Sequence, residues 1–238
     1  MKLIRPGLVP YGQALAWQHQ LRERLRQGTA GDPAGYLFCL EHPPVVTLGK
    51  RGSLDAIFGL EKLRDRGTEF YKIERGGEAT YHGPGQLVVY PVVDLDAVDH
   101  GVVDIVRGLA RCLAQTLDEF DVGAEYDPDH PGLWTNDREP QRKIASVGMR
   151  ASGGVSTHGA AINLTNDLTP FSLFVPCGMP NAPMTRLVDW TDDDVDVDDF
   201  IDRFLPRFST FMDRDFQPVE LPPPPESDWA EPLETSAQ

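Results

Sequence analysis

Residues 75–86 read Arg-Gly-Gly-Glu-Ala-Thr-Tyr-His-Gly-Pro-Gly-Gln, with four glycines in twelve positions, between the strand-like runs FYKIE and QLVVYPVV. Glycine loses more backbone freedom on folding than any other residue, so this density is unfavourable unless the chain needs positive φ or close approach. The segment therefore predicts a loop joining two strands, and Pro84-Gly85 predicts a type II turn within it. A lone Gly-Gly or Pro-Gly would mark a plain hairpin. Here Arg75, Thr80, Tyr81, His82 and Gln86 add enough hydrogen-bonding groups to surround a polar ligand, which favours a binding loop. No Gly-Lys-Ser/Thr follows, and a strand rather than a helix comes next, so neither a Walker A loop nor a dinucleotide fingerprint fits.

The chain around this loop patterns as interleaved helices and strands. Ala14, Trp17, Leu21 and Leu25 recur at helical spacing between Tyr11 and Gly28. Val102, Ile105, Val106, Leu109, Cys112, Leu113, Leu117 and Phe120 trace one face of a longer helix, and Val197, Phe200, Ile201, Phe204, Phe208 and Phe211 that of a last one, which Pro206 is expected to kink. Strands are predicted at 36–40, 45–48, 86–93, 132–135, 143–149 and 155–164. No regular βαβ period and no internal repeat appear. With 238 residues, enough for a sizeable core, the expected architecture is a single α/β or α+β domain over residues 1–216. Beyond it, residues 217–238 are rich in proline and acid and are expected to be an extended, mobile tail. Its Pro-Pro-Pro-Pro run would suit a proline-binding partner, but a solvated tail is the simpler reading.

The net charge is −15, of which residues 187–238 carry 15 acidic and three basic groups, so the body is nearly neutral. This balance argues against a nucleic-acid partner. The run Asp192–Asp199 suits the dipole of the helix it precedes better than a metal, and it lacks the glycine and distal glutamate of a calcium loop. The apolar run Leu87–Val93 is far short of the ~20 residues that span a bilayer, and no signal-peptide core opens the chain. A cytoplasmic protein without membrane association is expected. Three cysteines without a Cys-x-x-Cys pair argue against a disulfide framework or zinc ribbon. Cys39 in a strand and Cys112 on a helix face read as small core residues. Cys177, in the proline- and glycine-flanked segment VPCGMP, reads as a loop residue, where functional groups concentrate. Lys143, opening the strand KIASVGM, would in most proteins be a surface lysine, and His158 in THGAAIN would equally suit a satisfied buried histidine.

In order along the chain, EHPPVVTLG (41–49), RGGEATYHGPGQLVVYPVVDL (75–95), KIASVGMR (143–150), STHGAAINL (156–164) and VPCGMPNAPMTRL (175–187) resemble the lipoyl(octanoyl) transferases. The resemblance implies a fold like the catalytic domain of biotin and lipoate ligases. It implies transfer of octanoyl from acyl carrier protein to an acceptor lysine, the first step of endogenous protein lipoylation. The acceptors it implies are the lipoyl domains of 2-oxoacid dehydrogenases and the glycine cleavage H protein. Cys177 resembles the acyl-accepting nucleophile and Lys143 the lysine that activates it. Arg75, Gly76, Gly77, Glu78, Ala79, Thr80, Tyr81 and His82 resemble the substrate loop. Ser146, Val147 and Gly148 with Gly159, Ala160 and Ala161 resemble the two segments that complete the acyl pocket. Residues 136–142 and the tail fall outside the match.

The residue types suit that chemistry. A thiolate attacking a thioester forms another thioester, so the acyl group stays activated without ATP, cofactor or metal. An unperturbed cysteine is only a few per cent thiolate at neutral pH, and a neighbouring cation such as Lys143 would raise that fraction. Neutral Lys143 would also suit removal of a proton from an attacking amine. An adenylating ligase, a cysteine hydrolase using His82 or His158 as base, and a carrier-binding module with an incidental thiol are the alternatives. Lys50, Arg51, Arg142 and Arg150 are the expected basic rim for an acidic carrier protein.

Overall fold

The structure is a computed structural model that describes residues 1–28, 33–136, 140–175 and 183–235. Its strands are β1 (Lys2–Leu8), β2 (Gly35–Glu41), β3 (Val45–Leu48), β4 (Glu69–Lys72), β5 (Ala79–His82), β6 (Gln86–Val93), β7 (Ala124–Asp127), β8 (Gly132–Thr135), β9 (Lys143–Ser152), β10 (Val155–Asn163) and β11 (Gln217–Pro218). The helices are α1 (Tyr11–Gln27), α2 (Leu60–Asp65), α3 (Leu95–Val98), α4 (Val102–Leu117) and α5 (Val197–Met212). Eight strands form one mixed sheet in the order β11-β1-β2-β6-β10-β9-β8-β7, and three form a smaller sheet, β4-β3-β5.

Side-chain alternation along the central strands gives the large sheet two buried faces. Leu37, Cys39, Leu87, Val89 and Ile162 pack against Leu109, Leu113, Phe200, Phe204 and Phe208 of α4 and α5. Phe38, Leu40, Val88 and Tyr90 point the other way and meet Ala14, Trp17, Leu21 and Leu25 of α1. Gly28 closes α1 as predicted, with left-handed backbone. The acidic run before α5 is a helix cap: the Asp196 carboxylate accepts from the amides of Asp198 and Asp199 at 2.8 and 3.0 Å. α5 continues through Pro206.

The short elements α2, α3 and β7 were not predicted, and the structure also departs from expectation at β5 and β1. The second half of the glycine-rich segment is itself a strand, β5, pairing antiparallel with β3, so 75–86 is not one loop. What remains of the loop crosses the end of β3 to join β4 to β5. β1 pairs parallel with β2 across a register shift between Ile4 and Gly7, a strand that Pro6 and Gly7 hide from pattern reading. The described part of the tail, residues 217–235, runs along the domain. Val219 N–H donates to Leu3 O at 2.8 Å, Trp17 Nε1–H to Pro222 O at 2.9 Å and Leu233 N–H to Phe70 O at 2.6 Å. Its few apolar residues supply the reason: Val219 and Leu221 pack under α1, and Leu233 against the small sheet.

Candidate active site

Between the small sheet and the β9–β10 hairpin lies a cavity of about 300 Å³, within the range of small-molecule sites. Of the fourteen residues expected to bind substrate, all but Glu78, Ala79 and Tyr81 line it. Strand alternation explains two exceptions. Thr80 and His82 face the cavity from β5, while Ala79 and Tyr81 face the opposite side, where Tyr81 meets Phe171 edge-on at 5.7 Å. Glu78 instead accepts the Gly49 amide on its carbonyl at 2.7 Å.

Arg75 is buried, and its guanidinium donates to Thr47 O at 2.7 Å, Thr47 Oγ1 at 2.9 Å and Gly76 O at 2.9 Å. The bonds to Thr47 pin the loop across β3. Ser146, Val147 and Gly148 face Gly159, Ala160 and Ala161 across the β9–β10 ladder, as a wall poor in side-chain bulk. At Gly159 any Cβ would collide with the Val89 carbonyl, so only glycine lets β10 run this close to β6. The type II turn is present: Gln86 N–H donates to Gly83 O at 3.1 Å with Gly85 at φ +83°.

Lys143 is 1% exposed, an unusual place for a lysine. Its Nζ donates to the carbonyl of the cavity-lining Pro131 at 2.9 Å and stands 5.5 Å above the Trp134 ring. The Lys143 main chain donates to Pro183 O at 2.7 Å and accepts from Thr185 N–H at 3.0 Å. Cys177 lies outside the described residues. The chain around it departs from Val175, whose amide donates to Ala56 O at 3.3 Å, and returns at Pro183 beside Lys143. Cys39 and Cys112 are core residues as expected, and burial pushes their thiols up to about 12 and about 11.

Two buried histidines, His82 and His158, line the cavity, and a third, His42, lies behind them with its ring 5.8 Å from that of His82. His42 Nδ1 donates to Val9 O at 2.7 Å, leaving Nε2 to accept from the Tyr90 hydroxyl at 2.9 Å. His82 Nδ1 meets Gln86 Oε1 at 2.7 Å. His158, held at φ +59°, gives its amide to Gln18 Oε1 at 2.8 Å. Desolvation lowers His42 to about 4, and His82 and His158 to about 3, aided for His158 by the Arg75 charge and for His82 by His42. All three are neutral at neutral pH. Tyr11, Thr47 and Tyr90 also line the cavity and escaped sequence reading. The alternation of β6 marked Tyr90 as sharing a face with Val88, but nothing local marked Tyr11 or Thr47. Of the expected basic rim, Arg51 lines the cavity and Arg150 pairs with Glu74.

Among the described residues no helix is long and apolar enough to cross a membrane. Residues 10–209 match the family model of the lipoyl protein ligase A/B catalytic domain. The chain is 37% identical to an octanoyltransferase of Solibacter usitatus, over 89% of this chain and 93% of that one. Its fold superposes on a bi-partite lipoate protein ligase of Thermoplasma acidophilum with a TM-score of 0.72 at 18% identity, covering 95% of this chain and 88% of that one. A biotin protein ligase of Aquifex aeolicus gives 0.50 at 14% identity, over 89% of this chain and 70% of that one. The expected ligase-like catalytic fold is thus the observed one, and the chain belongs to the octanoyltransferases, acyltransferases of the lipoyl protein ligase A/B catalytic-domain family.

Proposed function

We propose that the chain takes octanoyl from acyl carrier protein as a thioester on Cys177 and passes it to the acceptor lysine of a lipoyl domain, in the cytoplasm. The observation that carries this reading is Lys143. A buried lysine holds a cavity-wall carbonyl through Nζ, and its main chain is bonded on both sides to the segment returning from Cys177.

A proton moves from the Cys177 thiol to Lys143, and the resulting thiolate attacks the donor carbonyl. The carbon–sulfur bond to the carrier breaks, and the departing thiolate takes the proton back from Lys143. The acceptor amine then attacks the Cys177 thioester, its proton passes to neutral Lys143, and Cys177 leaves as thiolate. Acyl number and charge balance over the cycle without nucleotide. Cavity residues Val147, Ala160 and Ala161 supply apolar surface for the acyl chain. At ~0.8 kcal/mol per methylene an octanoyl tail gains roughly 5 kcal/mol by burial. The low proton affinity of His82 and His158 makes them poor bases at neutral pH, which disfavours a hydrolase.

Reconstitution with octanoyl carrier protein and a lipoyl domain, with and without ATP, tests the reading. Octanoylated lipoyl domain should accumulate equally in both, and acetyl donors should react far more slowly. Strict ATP dependence would point to an adenylating ligase, and free octanoate to a hydrolase.

A further inference from the structure

A chain of hydrogen bonds runs through the protein from the cavity to the segment beside Lys143, and its donor–acceptor direction is fixed by main-chain carbonyls. Thr185 O can only accept, so the Asn163 amide must turn Nδ2 towards it, at 3.0 Å. That leaves Asn163 Oδ1 to accept from Gln86 Nε2 at 2.8 Å and from Asn166 Nδ2 at 3.1 Å. Gln86 Nε2 also donates to the Tyr81 carbonyl at 3.2 Å, which excludes the flipped amide a second time. Gln86 Oε1 therefore faces His82 Nδ1, and at 2.7 Å the histidine must be the donor. Gln86, Asn163 and Thr185 are each at most 2% exposed. Thr185 is held in turn by the Lys143 carbonyl and, on its hydroxyl, by Trp190 Nε1–H at 2.7 Å.

Asn166 Oδ1, at the edge of the network, has no partner among the described residues. The groups of Gln86 and Asn163 that set the direction are bonded, and a buried polar network costs least, and specifies one arrangement, where its groups are paired. We infer that Gln86 and Asn163 are positioning residues that lock cavity-lining His82 as its Nδ1–H tautomer and tie it to the main chain of Thr185. The imidazole of a histidine in water prefers the proton on Nε2, so the locked form is the minor one. It leaves His82 Nε2 as an acceptor, suited to receive an N–H donor from a bound substrate and unable to donate to a carbonyl. The functional consequence rests on the octanoyl-transfer reading; the tautomer does not.

Nitrogen-15 NMR of the full chain tests the direction without any variant. His82 should show a protonated Nδ1 and an unprotonated Nε2 at neutral pH, and a protonated Nε2 would overturn the relay. The Asn163→Asp variant then separates its two halves. Its carboxylate still accepts from Gln86, so the His82 signature should persist, but it cannot donate to Thr185 O. The transfer rate constant should fall roughly 3- to 10-fold, the worth of one such bond, with KM for the donor nearly unchanged. An unchanged rate, or a changed His82 signature, would overturn the tie to Thr185. If Cys177 were not the nucleophile, the NMR signature would still hold. If the relay were wrong, acylation of Cys177 would still occur.

Discussion

Towards α4 and α5 the strands β6 and β10 bury Leu87, Val89 and Ile162 with scarcely a polar atom, whereas towards the small sheet and its cavity they bury Gln86, Tyr90, His158 and Asn163. The two regions divide the labour of the fold. Apolar burial on one side stabilises the chain, and it offsets the desolvation of histidine, lysine, arginine and amide groups on the other.

The largest effect is expected from acid. Unfolded, each buried histidine binds a proton below about pH 6.5, while folded His42 does so only near about 4 and His82 and His158 near about 3. Between those limits the unfolded state binds up to three more protons, so stability is full above pH 6.5 and falls as pH is lowered. At ~1.4 kcal/mol per pH unit for each group, the loss at pH 5 is on the order of 6 kcal/mol. Denaturant titrations at pH 7 and pH 5 check this, and a flat profile would show that the cavity is already open to protons.

On the apolar side, Phe204→Ala should cost ~3–5 kcal/mol of stability while leaving transfer by the folded fraction intact. Denaturation with activity scaled to folded protein separates the two. Lys143→Ala should do the reverse. Acyl transfer should fall on the order of 10²- to 10⁴-fold, and alkylation of Cys177 should need higher pH. An unchanged alkylation profile would remove Lys143 from its assigned role. The smallest effect is expected from deleting residues 217–238. Loss of the bonds to Leu3, Trp17 and Phe70 should lower stability by ~1–3 kcal/mol, whereas turnover at low temperature should persist. Loss of turnover without unfolding would mean that the segment contacts a substrate.

How far the sequence exposed this division differs by region. α1 and α4 were legible because their apolar faces recur at helical spacing, and Cys39 and Cys112 because they fall on those faces or inside a strand. The cavity wall was legible through the family motifs rather than through periodicity. β5 was not, because Ala-Thr-Tyr-His between glycines carries turn chemistry on one side and core residues on the other. Docking of the tail was hidden by a proline-rich, acidic composition in which a few spaced apolar residues decide the outcome. The link from Gln86 to Asn163 joins residues 77 positions apart, and no local pattern reports such a pair.

In the proposed mechanism the acyl group passes through Cys177 under the influence of Lys143. Incubation of the full chain with octanoyl carrier protein in the absence of acceptor, followed by intact-mass measurement and peptide mapping, tests it most directly. One octanoyl group should appear per chain, on the peptide containing Cys177, and it should vanish when a lipoyl domain is added. Octanoyl on Cys39 or Cys112, or turnover with no acyl-protein formed, would rule out passage through Cys177.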